Sequence, residues 1–275
     1  MNLLAKYVSL RKILNKIMTP QAIFFDIDGT LVSFKTKSIP ESNKTAIKLL
    51  KDKDVKVFIS TGRAFYDIDN LEDLIFDGYI TSNGSYCYDS KGNIIVQNLV
   101  SKESLNKLAL YLEEKPLPCA FETKKGNFIN YVDDTILSMY KLVNIPVPII
   151  RPVSEIIEYD VLQLCAFIDL QREIELLSIL TDCNGSRWHP SFMDINAKNC
   201  CKATGIDVFM THFGFKLENT MAFGDGGNDI SMLKHAAIGV AMSNATDEVK
   251  AVADYVTTSV DDDGIIKALK HFNVL

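Results

Sequence analysis

The sequence predicts an α/β protein: a doubly wound, Rossmann-like parallel sheet interrupted by an inserted α+β unit. Short apolar runs alternate with helical patterns at both ends of the chain, as βαβ units buried on two faces require. Three of those runs end in acids, hydroxyls or glycines, and open parallel sheets bind ligands beyond the carboxyl ends of their strands. Between the two ends lie over a hundred residues of hairpins and helices in another order, far more than the dozen or so residues that a crossover between parallel strands needs.

The N-terminal third supplies the first elements. Ala22 to Phe25 reads as a strand, and Pro40 to Lys53 as a helix with Ala46, Leu49 and Leu50 on its apolar stripe and proline at an opening position. Val55 to Ile59 is a second strand, Tyr66 to Leu74 a helix, and Tyr79 to Thr81 a third strand. The same grammar returns late: Thr220 to Phe223, Ile238 to Met242 and Asp254 to Thr257 read as strands, with helices over Asp229 to His235 and Thr246 to Ala253. In the insert, Ser101 to Glu114 is helical, Cys119 to Thr123 and Asn127 to Val132 form a hairpin, and Thr135 to Leu142 is a helix. Val161 to Ile168 is then a strand, Arg172 to Leu180 a helix and Arg187 to Ile195 a strand. The expected organisation is a core of residues 21–86 and 194–275 with an α+β unit of residues 87–193 between them. Residues 1–20 form a basic amphipathic extension: Lys6, Arg11, Lys12 and Lys16 face no acid, while Leu3, Tyr7, Leu10, Leu14 and Ile17 recur at helical spacing. Met18 lies just before the first strand, which marks residues 1–17 as dispensable or as the product of an upstream start.

Composition narrows the function classes. With 275 residues, 47% hydrophobic and 23% charged, the chain has material for a substantial core and is neither disordered nor fibrous. A net charge of -6 offers no basic footprint, so a nucleic-acid partner is not expected. The six cysteines, Cys87, Cys119, Cys165, Cys183, Cys200 and Cys201, show no C-x-x-C spacing and read as reduced structural thiols, hence a cytoplasmic location. No apolar run approaches the ~18 residues of a membrane span.

Three strand ends carry chemistry. Phe24-Phe25-Asp26-Ile27-Asp28-Gly29-Thr30-Leu31 places two acids directly after a buried strand, where their repulsion would be relieved by a divalent cation. Val57-Phe58-Ile59-Ser60-Thr61-Gly62-Arg63 places a hydroxyl, a glycine and free backbone N–H groups at the next strand end, an arrangement suited to phosphate and equally to ordinary turn capping. Met221-Ala222-Phe223-Gly224-Asp225-Gly226-Gly227-Asn228-Asp229 adds glycines that admit a ligand to the backbone, Asp225 to join the first acids around one magnesium ion, and Asn228 to donate to phosphate.

Taken in order, Asp-Ile-Asp-Gly-Thr, Ser-Thr-Gly-Arg, Lys202 and Gly-Asp-Gly-Gly-Asn-Asp resemble the four motifs of the haloacid dehalogenase superfamily of phosphohydrolases. The insert resembles the type 2 cap of its Cof-type branch, which holds many sugar phosphatases. Ser82-Asn83-Gly84-Ser85 and Gly239-Val240-Ala241-Met242-Ser243-Asn244-Ala245 resemble two further segments of that branch, so the likeness runs from about Gln21 to the C-terminus. Asp194 to Asp207 resembles the stretch that carries the functional lysine, which points to Lys202 rather than Lys198.

The resemblance implies a magnesium-dependent phosphomonoester hydrolase acting on a sugar phosphate or similar small phosphorylated metabolite through an aspartyl-phosphate. Asp26 is then the nucleophile and Asp28 the general acid and base. Magnesium is held by Asp26, the Asp28 carbonyl and Asp225, phosphate by Thr61, Gly62, Lys202 and Asn228, with Asp229 in support. The insert would close over the site, with Glu122, Lys124, Lys125, Asn127, Trp188 and His189 as candidate substrate contacts. A phosphomutase of the phosphomannomutase kind and a non-catalytic metabolite sensor are the competing readings. A sensor has no need of both Asp26 and Asp28.

Overall fold

The computed structural model describes residues 20–68, 71–143, 146–187 and 189–275. The extension of residues 1–19 and Trp188 lie outside the described residues. Along the chain the elements are β1 (Ala22–Phe25), α1 (Glu41–Asp52), β2 (Lys56–Ser60), β3 (Gly78–Thr81), β4 (Tyr86–Asp89) and β5 (Ile94–Gln97). Then come α2 (Lys102–Glu114), β6 (Cys119–Thr123), β7 (Gly126–Ile129), α3 (Asp134–Val143), β8 (Ile149–Ile150), α4 (Val153–Ile156), β9 (Val161–Ala166), α5 (Leu170–Ile179), β10 (Cys183–Ser186) and β11 (Met193–Ala197). The chain closes with α6 (Lys202–Phe213), β12 (Thr220–Gly224), α7 (Ile230–His235), β13 (Ile238–Ala241), α8 (Asp247–Val252), β14 (Tyr255–Val256) and α9 (Gly264–His271).

Two sheets result. The first has eight strands in the order β14-β13-β12-β1-β2-β3-β4-β5, parallel from β14 to β3, and the second has six in the order β10-β11-β9-β6-β7-β8. Alternation gives the first sheet two apolar faces. Ile23, Phe25, Val57, Ile59 and Phe223 meet α1 and α9 on one side, while Ala22, Phe24, Phe58 and Ala222 meet α6 and α7 on the other. Phe24 stacks on Phe58 at 4.8 Å and Phe25 on Phe223 at 5.1 Å, tying the three central strands together. Each such side chain, fully buried, contributes about 1.5–3 kcal/mol. The chain leaves β1 for β2 on one side and returns to β12 on the other, so the carboxyl end of β1 is the switch point where a ligand crevice forms.

Besides adding β8, α4 and α9, which the sequence reading did not place, the structure departs from the sequence expectation as follows. The strand pair β4 and β5 is unanticipated, and it carries the first sheet past the expected boundary at residue 86 to Gln97; Tyr-Cys-Tyr-Asp folds back antiparallel on β3. The later boundary at 194 falls within β11, which pairs with β9 and belongs to the second sheet through Ala197. In place of one strand over Arg187 to Ile195, β10 and β11 form an antiparallel pair, because Pro190 cannot donate to a ladder. In place of a helix over Tyr66 to Leu74, there is a 3-10 turn at Phe65–Asp67 and turns from Leu71 onward. The sequence there is rich in Asp and Asn, which compete for backbone hydrogen bonds, and Glu72 sits at φ 53°. Among the described residues no helix is long and apolar enough to cross a membrane.

Candidate active site

Asp26 stands one residue beyond β1, its N–H donating to Phe223 O of β12 at 3.0 Å, so the strand register itself aims it at the crevice. Lys202 opens α6, where Cys201 N donates to Thr204 Oγ1 at 3.1 Å and fixes the helix start. From there the lysine reaches under β1. It is 0% exposed, and its Nζ donates to Asp26 Oδ1 at 2.7 Å and to Asp229 Oδ1 at 2.6 Å. Lys198, by contrast, is exposed, and its Nζ donates to Thr181 O.

Asp229 is fully engaged. Its second oxygen accepts from the N–H groups of Asp225 and Gly226 at 2.9 and 2.8 Å, which folds the Gly-rich loop around it. Asp225 is held by Thr30 Oγ1 at 2.8 Å and Asn244 Nδ2 at 2.9 Å. Gly29 makes room for this: its φ is 86°, and a Cβ there would strike Asp225 and Phe34. Asp28 points elsewhere, its carboxylate gripped in bidentate fashion by Arg63 Nε and Nη2, both at 2.7 Å.

The electrostatics are those of an unbalanced cluster. Burial pulls the Lys202 ammonium down, but Asp229 and Asp26 more than offset this and hold it above the usual lysine range. Burial, then the Asp229 charge, raises the Asp26 carboxyl despite its lysine partner. Asp225 is pushed up to about 7, by burial first and Asp229 second. Lys202 bonds two of the three clustered acids, Asp26 and Asp229, and the crowding of Asp225 beside them is what a divalent cation would relieve. Ligand oxygens of Asp26, Asp225 and Asp229 all lie within 4.8 Å of one another. Hard oxygen donors at this spacing could hold a divalent cation; both Asp229 oxygens already accept, from Lys202 and the loop, and both Asp225 oxygens accept from Thr30 and Asn244.

The remaining predicted residues surround this centre. Thr61 is buried and its Oγ1 accepts from Arg63 N at 3.1 Å; Gly62 sits where a Cβ would crowd Asn83 and Asn228. Asn228 Nδ2 donates to Asn83 Oδ1 at 3.0 Å. Ser82 and Asn83 are both left-handed, at φ 46° and 52°, a strained pair at the end of β3. Of the insert candidates, Glu122 is buried and Asn127 half-buried on the second sheet. Lys124 and Lys125 are exposed, Lys125 over the Tyr159 ring at 4.7 Å, and His189 stacks on Phe192 at 5.5 Å. Sequence reasoning assigned nothing to Thr30, Arg63, Asn83 or Asn244, though all four stand inside the motif segments. Membership of those segments was the signal available.

Comparison with known proteins agrees with this geometry. Residues 23–269 match the haloacid dehalogenase-like hydrolase family. The chain is 31% identical over 256 residues to the 5-amino-6-(5-phospho-D-ribitylamino)uracil phosphatase YcsE of Bacillus subtilis, covering 91% of this chain and 94% of that protein. Among solved structures, the subclass IIB sugar phosphatase BT4131 superposes with TM-score 0.88 at 43% identity, covering 93% of this chain and 100% of that one. The phosphatase BT1666 of Bacteroides thetaiotaomicron superposes with TM-score 0.89 at 37% identity, covering 94% and 96%. A buried aspartate and lysine at the switch point, a glycine-rich acidic loop and a family match over nearly the whole chain lead to one conclusion: this protein is a haloacid dehalogenase-type phosphatase of the Cof-type branch.

Proposed function

We propose that the protein hydrolyses phosphate monoesters through an aspartyl-phosphate on Asp26, with magnesium as its metal and sugar phosphates or similar small metabolites as substrates. The observation that carries the reading is Lys202, buried between Asp26 and Asp229 beside Asp225. A carboxylate nucleophile meeting a phosphate dianion needs fixed positive charge at its side, and this ammonium supplies it without reorganisation.

Asp26 attacks phosphorus, the bond to the leaving oxygen breaks, and a proton from Asp28 ends on that oxygen. Water then attacks the same phosphorus, gives a proton to Asp28 and frees Asp26. Thr61, the Gly62 N–H, Lys202 and Asn228 surround the transferring oxygens. Magnesium, held by Asp26, the Asp28 carbonyl and Asp225, supplies further positive charge to those oxygens when bound. The Arg63 pairing suits Asp28 in its proton-accepting form; to act first as acid it takes up a proton and loosens that grip. Substrate class is supported by the relatives, one named a sugar phosphatase and another a phosphatase of a phosphoribityl compound.

The test is phosphate release from a panel of sugar phosphates, nucleotides and other monoesters, with chelator and with added magnesium. Release that chelation stops and magnesium restores, needing no bisphosphate activator, is expected. Silence from folded protein across the panel overturns the reading, and dependence on a bisphosphate turns it into a mutase.

A further inference from the structure

A row of polar side chains crosses the second sheet where it meets the first sheet's loops. Alternation puts Glu122 of β6, Asn127 of β7, Gln163 of β9, and Asp194 and Asn196 of β11 on one face; Glu122 stands in register with both Asn127 and Gln163. The row lies against the turn Ser82-Asn83-Gly84 that follows β3, and that turn is wedged between the loop after β2 and the start of α6. Ser82 N donates to Arg63 O at 2.9 Å and Asn83 N to Thr61 O at 3.0 Å, while a Cβ at Gly84 would strike the backbone of Cys201, next to Lys202. Two consecutive left-handed residues, Ser82 and Asn83, are strain that persists only because these surroundings impose it.

What the strained turn places is the Asn83 amide. Its Nδ2 donates to Gln163 Oε1 at 2.9 Å and to Asp194 Oδ2 at 3.2 Å, and its Oδ1 accepts from Asn228 Nδ2 at 3.0 Å. An amide has a donating end and an accepting end, so its neighbours decide which way it faces. Here backbone carbonyls, which can only accept, settle the matter. The carbonyl of Gly62 takes Gln163 Nε2 at 3.1 Å, which turns Gln163 Oε1 toward Asn83. The carbonyl of Ser82 takes Asn196 Nδ2 at 2.9 Å, and that nitrogen donates to the same Gln163 Oε1 at 3.1 Å. Asn83 must then give its nitrogen to Gln163 and its oxygen to Asn228. Reversed, it would set oxygen against the oxygens of Gln163 and Asp194 and nitrogen against Asn228 Nδ2, losing every one of these bonds.

The two asparagines lie directly beside Gly62, where a Cβ would meet Asn83 Nδ2 at 3.2 Å and Asn228 Nδ2 at 3.3 Å. We propose that Asn83 is a positioning residue that keeps the donating end of the Asn228 amide toward the phosphoryl group, and that Gln163 and Asp194 lock Asn83 in that orientation. The proposal rests on the phosphomonoesterase reading above. One N–H of Asn228 is spent on Asn83 Oδ1, and the second N–H of the same nitrogen serves the phosphoryl oxygens. Turned over, Asn228 would set its oxygen against Asn83 Oδ1 and against phosphate alike. Because both locks belong to the second sheet, this part of the phosphate cradle is oriented only while that sheet lies against the first.

The test is competitive inhibition by inorganic phosphate, with magnesium present and p-nitrophenyl phosphate as the reporter substrate. Asn228→Ala raises the inhibition constant about tenfold or more, the loss expected of one hydrogen bond to a charged group. Asn83→Gly, which suits the left-handed backbone and deletes the amide, raises it comparably. The two together raise it no further than Asn228→Ala alone, because Asn83 acts through Asn228; a residue that merely supported the fold would add its own loss. A second pair leaves Asn83 in place. Gln163→Leu and Asp194→Asn each spare one acceptor of Asn83 Nδ2, so the double variant weakens phosphate by more than the product of the single changes. An inhibition constant is insensitive to how much of a variant is folded. With an active wild type, the proposal is overturned if the Asn83 and Asn228 losses multiply, if Asn83→Gly leaves the constant unmoved, or if the Gln163 and Asp194 losses only multiply. A folded wild type that does not hydrolyse the reporter overturns the phosphomonoesterase reading and the proposal with it.

Discussion

The charged centre at the ends of β1 and β12 and the polar row of the second sheet are close neighbours in the hydrogen-bond network. Asn228 donates to Asn83, and Asn83 donates to Asp194 at 3.2 Å and to Gln163 at 2.9 Å. They are built differently. The centre draws on runs of adjacent residues, Asp26 to Thr30 and Gly224 to Asp229, and on one buried cation bonded to two acids. The row takes single residues from four strands and is held by hydrogen bonds between side-chain amides and two carboxyl groups. Transferring a phosphoryl group asks the same thing of every substrate, so its machinery can be rigid and complete before substrate arrives. The row's part is to fix which way an amide of that machinery faces.

The sharpest way to break this contrast is at Asp26. Asp26→Asn keeps the shape but removes the proposed nucleophile, and turnover is expected to fall by a factor on the order of 10⁴ or more, read as phosphate release from any monoester the wild type accepts. Full turnover in that variant would move the nucleophile elsewhere. Lys202→Met is next. Removing one partner from a buried ion pair costs about 3–5 kcal/mol, so a lower denaturant midpoint should accompany the loss of activity. Were this variant as stable as wild type, the claim that Lys202 ties Asp26 and Asp229 together would fail.

How much of this was legible follows from the same contrast. Asp26, Asp28, Thr61, Asp225 and Asn228 stand at strand ends in contiguous motifs, and the apolar runs that precede them are buried on both faces, so a linear reading finds both. Lys202 carries no local signal of burial; only likeness to a known family singled it out from Lys198. Arg63 and Asn244 sat in plain view, but pairing Arg63 with Asp28 across 35 positions, or Asn244 with Asp225, needs the folded chain. Gln163 was invisible, one polar residue in the strand Val-Leu-Gln-Leu-Cys-Ala, where alternation says only that it shares a face with Cys165. The strands β4 and β5 were missed because their tyrosines and polar residues show no clean period of two.

A pH series separates the two regions further. Burial holds the Asp194 carboxyl up to about 7, above its ordinary 3.8, with Asn83 and Cys165 working against the rise. Between those two values the folded chain keeps a proton that the unfolded chain releases, so this group favours the folded state at the low end and its contribution is lost as pH rises to about 7. Three units correspond to about 4 kcal/mol at most. Asp194→Asn should therefore flatten the fall of the denaturant midpoint across that window. Asp225 is raised in the same way, but saturating magnesium should remove its share of the slope and leave that of Asp194 untouched. A slope insensitive to Asp194→Asn would mean that the row stays open to water.

The smallest expected effect is the most informative about how the regions communicate. Gln163→Leu keeps the volume and removes the side chain that spans the two sheets. Asn83 retains Asp194, and Asn196 retains Ser82 O and Ser85 Oγ, so the groups left without a donor are Gly62 O and Glu122 Oε1. Orphaned acceptors of this kind cost about 1–3 kcal/mol, which should appear as a modest drop in stability. Because Gly62 is a proposed phosphate-binding element and Asp26 is untouched, KM should rise while kcat moves little. A fall in kcat comparable to that of Lys202→Met, with stability unchanged, would show that Gln163 acts on the chemical step, and the row and the centre would then have to be treated as one device.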